Sequence, residues 1–249
     1  MLLGGLVPAL LCAGSPLRHA GTTDVDVQVD LEIAEGAVHA TRLERALQNA
    51  EFEPDNERVW RWKLTDPSGQ RTTVKFELLA DLDTQPEGAT VRFSGCEHLG
   101  AANLRGTGYA VRDRQVHQLT ANDHGVQRHA EINVAGLGGF LLAKAAAAYG
   151  RHKPKDSYDI AFVLLHNDHG DAVAAAQRVR NIFGSPTAST LTHLQDLSAN
   201  FGGPTDQGTQ AYVEQLTLDH PELDPATVGA DGQLAVQAFC NEIIDQADR

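Results

Sequence analysis

The feature that most constrains this chain is a change of hydrophobic period near residue 133. Before it, apolar residues alternate with polar ones in several short runs. After it, they recur at three- and four-residue spacing. Period two puts alternate side chains on opposite faces of a strand, and the longer period puts them on one stripe of a helix. Strands gathered in one half and helices in the other imply an α+β fold. The expected organisation is a mixed-sheet α/β domain over 1–133 followed by an all-helical domain over 134–249.

The clearest alternation is "HAGTTDVDVQVDLEI", residues 19–33. Asp24, Asp26, Asp30 and Glu32 share one face, and Val25, Val27, Val29, Leu31 and Ile33 the other. Period alone does not separate a solvated acidic face from carboxylates presented to a metal. Further on, 40–52 reads as an amphipathic helix. Two strand-like runs, about 59–65 and 71–80, flank "DPSG", a turn with Pro second and Gly fourth. In the second run Val74, Phe76, Leu78 and Ala80 share a face, opposite Lys75, Glu77 and Asp81. Strands are expected near 107–119 and 126–134. A helix is expected from Gly139 to Tyr149 with Gly150 as its stop. A second helix in "DSYDIAFVLLHND" and four more complete the chain.

The net charge of −13 argues against a broadly basic nucleic-acid surface. Cys12, Cys96 and Cys240 are far apart, with no CxxC, which suggests free thiols in a reducing, cytoplasmic setting. The start, "MLLGGLVPALLCAGS", lacks a basic leader region, since its first charged side chain is Arg18, and it reads as a buried strand and helix. No run approaches the roughly 18 apolar residues of a membrane span. "HNDHGD" at 166–171 reads as a polar loop, and "GLGG" at 136–139 lacks the spacing of a dinucleotide fingerprint.

Chemistry concentrates in a strand, Gly4-Gly5, a helix, then Asp24-x-Asp26. Two carboxylates on one strand face suit magnesium, which takes oxygen ligands and is shared with substrate phosphates. A glycine pair at a helix start lets the backbone approach those phosphates. Metal-held phosphates suit phosphoryl or nucleotidyl transfer. Lys144 is a lone cation in the Ala- and Leu-rich "FLLAKAAAAYG", either snorkelling to water or reaching a triphosphate. Arg151 lies seven residues on, on the same face. Asp156 reads as the N-cap of a capping box. Asp159, one turn in, reads as orienting Lys144 or as a base toward an attacking hydroxyl.

"GGLVPALL…HAGTTDVDVQVDL" followed by "LLAKAAAAYGRHKPKDSYDIAFVL" resembles the nucleotidyltransferase superfamily that includes DNA polymerase beta. Within it the pattern is similar to AbiE-type and MenT-type toxin nucleotidyltransferases, over about residues 1–165. The matching positions are Gly4, Gly5, Thr22, Asp24, Asp26, Lys144, Arg151, Lys155, Asp156 and Asp159. The resemblance implies an N-terminal nucleotidyltransferase domain and a helical domain that adds Lys144 and Asp159 to the site. It implies Asp24 and Asp26 as magnesium ligands. Nucleotide binding would fall to Gly4, Gly5, Thr22, Thr23, Arg151 and Asp156. Glu77 is the candidate for the superfamily's third carboxylate, or else simply pairs with Lys75. The implied substrate is a nucleoside triphosphate, with a tRNA 3′ end as acceptor and an antitoxin protein as partner. Two departures stand out: only three residues precede the Gly-Gly element, where the family carries a helical segment, and Ala20 stands where a basic residue often precedes the Ser/Thr. Two alternatives stay open. One is transfer to a small hydroxylated molecule or antibiotic. The other is a catalytically silent member that binds nucleotide or a protein partner.

Overall fold

The computed structural model describes residues 1–29, 37–65, 73–123 and 125–247. The "DPSG" turn and the positions of Asp30 and Glu32 lie outside the described residues. The chain divides into two compact units, one of Met1–Leu6 with Thr22–Ala135, the other of Val7–Gly21 with Gly136–Arg249. The expected division at 133 is therefore displaced to 135, and residues 7–21 belong to the helical unit.

In the sheet unit, strands β1 (Leu2–Leu3), β2 (Asp24–Gln28), β3 (Glu53–Pro54), β4 (Arg61–Thr65) and β5 (Thr73–Ala80) are followed by β6 (Thr90–Arg92) and β7 (Gly100–Asn103). β8 (Arg114–Asp123) and β9 (Val126–Ala135) form a long antiparallel hairpin. The sheet order is β3-β4-β5-β2-β1-β9-β8, with β7 joining β5 to β6. It is mixed: β1 runs antiparallel to β2, while β2 runs parallel to β5. The strand expected from residue 107 starts only at 114, because Gly108–Arg112 close into a short helix.

Helix α2 (Ala37–Asn49) packs on the apolar face of this sheet. Ala40, Leu43, Glu44 and Leu47 recur at helical spacing, so one stripe meets the sheet. Ala40 and Leu47 join Trp62, Leu78, Ala80, Phe93, Leu99 and Ala101 in one core, with Val27 and Phe76 packed on it. Glu44 is buried with them and accepts hydrogen bonds from the Glu97 and His98 backbone N–H groups (3.3 and 2.6 Å). These turn contacts compensate the carboxylate for lost water.

The helical unit opens with α1 (Val7–Leu11), reached through a 3₁₀ turn at Gly4–Leu6. The short helix at 108–112, in the sheet unit, is α3. Then come α4 (Leu137–Arg151), α5 (Pro154–His166), α6 (Ala172–Phe183), α7 (Ala188–Ala199), α8 (Gln207–Asp219) and α9 (Pro225–Ala247). α4 runs through Gly150, the expected stop, and ends at His152, which takes φ 48° and donates its N–H to Ala148 O. Tyr158, Phe162, Tyr212 and Phe239 are fully enclosed in this core. Residues 7–21 are tied here because α1 packs on α5 and the Asp168 carboxylate accepts from the Ala13 and Gly14 N–H groups (3.0 and 2.9 Å). Asp171, at the end of "HNDHGD", caps α6 by accepting from Ala174 N. No helix among the described residues is long and apolar enough to cross a membrane.

Leu78 has no exposed surface in the sheet core. Leu78→Ala should cost about 2–5 kcal/mol through lost burial and the cavity left behind. A lowered urea midpoint with unchanged slope would show this.

Candidate active site

In the sheet unit, β2 and β5 are paired over five residues, Asp24 opposite Lys75 and Asp26 opposite Glu77. β4 lies on the other side of β5, with Arg61 opposite Glu77 and Lys63 opposite Lys75. Partners in register share a face, so six charged side chains collect on the face away from the apolar core. The Lys75 ammonium lies 3.1 Å from Asp24 Oδ1. Arg61 Nε donates to Glu77 Oε1 at 2.5 Å. Lys63 pairs with Asp55 at 2.6 Å. Glu77 is thus in register with Asp26 but held by Arg61, and its expected alternative partner, Lys75, turns to Asp24 instead.

Gly4 is required at this edge for two reasons. Its φ of +76° suits a residue without a side chain. A Cβ built there would also lie 1.9 Å from Asp26 Oδ2. The Asp26 carboxylate therefore rests directly against the Gly4 backbone. Gly5 is buried in the 3₁₀ turn that follows. Thr22 Oγ1 accepts from Asp24 N (3.1 Å), which fixes the entry to β2, and Thr23 is exposed beside it. Among the described residues no group of three or more His, Cys, Asp or Glu side chains is placed to hold a metal ion. The half-buried pair Asp24 and Asp26 fits magnesium in its usual mode, in which one or two carboxylates bind it and substrate phosphates and water fill the shell.

The remaining expected residues form a cluster inside the helical unit. Lys144 Nζ lies 2.9 Å from Asp156 Oδ1 and 2.6 Å from Asp159 Oδ2, the latter a close ion contact outside hydrogen-bond alignment. Arg151 donates from Nε and Nη2 to both oxygens of Asp156, each at 2.7 Å. Lys155 reaches Asp159 Oδ1 at 3.1 Å. His19, which gave no sequence signal beyond lying near the Asp-x-Asp strand, completes the group, with Nε2 2.9 Å from Asp159 Oδ1. The Gly21 N–H donates to His19 Nδ1 (3.1 Å), so the ring proton sits on Nε2 and is donated to Asp159.

Burial alone would push the Asp159 carboxyl up. The Lys144 ammonium, the His19 N–H and Lys155 outweigh it and hold the group well below the usual carboxylate range. Asp156 is also lowered, because Lys144 and Arg151 outweigh its burial. Burial opposes the Lys144 charge, but the two carboxylates overcome it and raise the ammonium above its usual value. Lys144 is thus neither snorkelling nor exposed. Asp159 is fully buried, with Lys144, Lys155 and His19 all placed against its carboxylate. Asp156 is not the N-cap. Pro154 takes the first helical position after Lys153, which puts Asp156 at the third, and its carboxylate turns to Lys144 and Arg151.

Two outcomes are expected. Gly4→Ala should destabilise the sheet unit by about 1–3 kcal/mol, from backbone strain and the clash with Asp26, read by chemical denaturation. Lys144→Met should cost about 3–5 kcal/mol at neutral pH by removing the buried cation that the two carboxylates share. The lowered carboxyls contribute stability that is fully present above their unfolded value of 3.8 and lost as pH falls through their folded values. Stripped of Lys144, the same carboxyls titrate upward, so the gap between wild type and variant should shrink on acidification below about pH 4.

No family model matches the chain, and no curated protein sequence matches it. A solved structure, an antigenic nucleotidyltransferase-like protein from Paracoccidioides brasiliensis, is similar to it at 17% sequence identity with a TM-score of 0.37. That similarity covers 98% of this chain and 87% of the other.

Proposed function

We propose that this chain is a nucleotidyltransferase that moves a nucleotide from a nucleoside triphosphate to an acceptor hydroxyl, with magnesium at Asp24 and Asp26. The observation that carries this reading is the seat of Asp26 on Gly4, where a Cβ would lie 1.9 Å from the carboxylate. The missing Cβ makes room for Asp26, which sets the carboxylate edge against the Gly4–Gly5 turn, where a metal-held phosphate would be shared. Magnesium bound there would neutralise charge on the transferring phosphoryl group. Gly4 and Gly5 keep side chains away from the phosphates, and Thr22 and Thr23 supply hydroxyls toward them. Asp24 and Asp26 fix where the charge is gathered. Lys144, Arg151, Asp156 and Asp159 enter as the ionic scaffold of the helical unit, because their charges already satisfy one another.

The finer form of the proposal follows the resemblance to AbiE-type and MenT-type toxins. The acceptor is then a tRNA 3′ end, the partner an antitoxin protein and the setting cytoplasmic. The net charge of −13 favours a second acceptor class, a small hydroxylated molecule or antibiotic, since a polyanion needs its phosphates neutralised over a wide surface.

Each of the four nucleoside triphosphates, labelled at the α-phosphate, should be offered with magnesium and a total tRNA pool. Wild type should transfer label, and Asp26→Asn should lose at least about a hundred-fold in rate with its fold intact by circular dichroism. Undiminished transfer by Asp26→Asn would overturn the metal edge. Label on small hydroxylated acceptors but not on tRNA would select the second acceptor class. Calorimetric binding of nucleotide without transfer to any acceptor would select a silent binding protein.

A further inference from the structure

We infer that Lys75 is the resident counter-ion of the carboxylate edge: it neutralises Asp24 while no divalent cation is bound, and passes to the triphosphate when a cation takes the carboxylate. This rests on reading Asp24 and Asp26 as the metal edge. Sheet register carries it first, since β2 and β5 place Asp24 and Lys75 opposite each other on one face. The contact itself is next, with Lys75 Nζ 3.1 Å from Asp24 Oδ1. The neighbours then decide the direction of the lysine. Glu77, two residues along β5, is taken by Arg61, and Lys63, opposite Lys75 on β4, is taken by Asp55. Lys75 therefore pairs toward β2, at the carboxylate a cation would need.

Exposure allows the exchange. The two side chains are 35% and 37% exposed, so the ammonium can leave without opening the core. A half-exposed ion pair of this kind is weak. Lysine is a point charge on a flexible four-carbon stem, suited to moving between anions. A divalent cation on Asp24 repels the ammonium, and the phosphates that accompany the cation are the new anion within its reach. Cation and polyphosphate should therefore bind with positive coupling, and linkage makes the coupling equal in both directions.

The test uses the full chain and reads binding, not turnover. Manganous ion is titrated by electron paramagnetic resonance, alone and with inorganic tripolyphosphate. Lys75→Gln should bind the ion alone about three- to ten-fold more tightly, because a competing charge is gone. At saturating manganese its tripolyphosphate affinity should fall about ten-fold, from loss of a charge-assisted contact. Lys75→Arg should stay closer to wild type on both measures. Equal or weaker metal binding by Lys75→Gln, with binding abolished in Asp24→Asn, overturns the counter-ion role and leaves the metal edge standing. Tighter metal with unchanged tripolyphosphate affinity overturns the hand-over. No manganese binding by wild type or Lys75→Gln at millimolar concentration, or binding that survives Asp24→Asn, overturns the metal edge and the counter-ion role together.

Discussion

Five residues of parallel pairing between β2 and β5 decide what the charged face of the sheet can do. The pairing puts Val25 and Val27 with Phe76 and Leu78 on one side, and Asp24 and Asp26 with Lys75 and Glu77 on the other. A slip of one residue would turn both carboxylates into the core and both valines into water. Burial of Leu78 and Trp62 beneath α2 therefore holds the register, and the register holds the ionic face. The apolar half of the sheet is in this sense the positioning device for its polar half.

The helical unit solves a different problem. Lys144, Asp156 and Asp159 are almost wholly removed from water, a costly state unless every charge is matched. Matching comes from three sides: α4 supplies Lys144 and Arg151, α5 supplies both carboxylates and Lys155, and the segment before β2 supplies His19. Such a group adds little net stability over an apolar core of the same volume, but it tolerates few alternative arrangements. Ala20 N–H adds a further tie by donating to the Tyr158 hydroxyl (3.0 Å), so residues 19–21 are pinned at successive positions.

Much of the fold was legible because period is a local property. The change near 133, the hairpin arms, the amphipathic helix before them and the helices after 137 all follow from spacing along the chain. Local signals also misled. "DSYD" has the form of a capping box, yet Pro154 two residues earlier had already started the helix. Gly150 looked like a stop, but α4 continues until His152 turns left-handed. The ionic partners were harder. Asp24 and Lys75 are 51 residues apart, and Asp159 and His19 are 140 apart. Only parallel register and tertiary packing bring such pairs together, and neither is written in a spacing. Arg61 was hidden for the same reason, since its pairing with Glu77 depends on the register of β4 against β5.

The membership of residues 7–21 in the helical unit also bears on the order in which the chain can fold during synthesis. Tyr158, Asp159 and Asp168, which anchor this segment, are made 138 to 155 residues after the groups they hold. At about 5–20 residues per second, that leaves it without its anchors for roughly 7–30 seconds. β1 waits similarly for Val134, its parallel neighbour on β9. The apolar stretch "LVPALLCAG" therefore gains its packing partner only once α5 has been made, so its burial is a late event although its sequence is early relative to that helix.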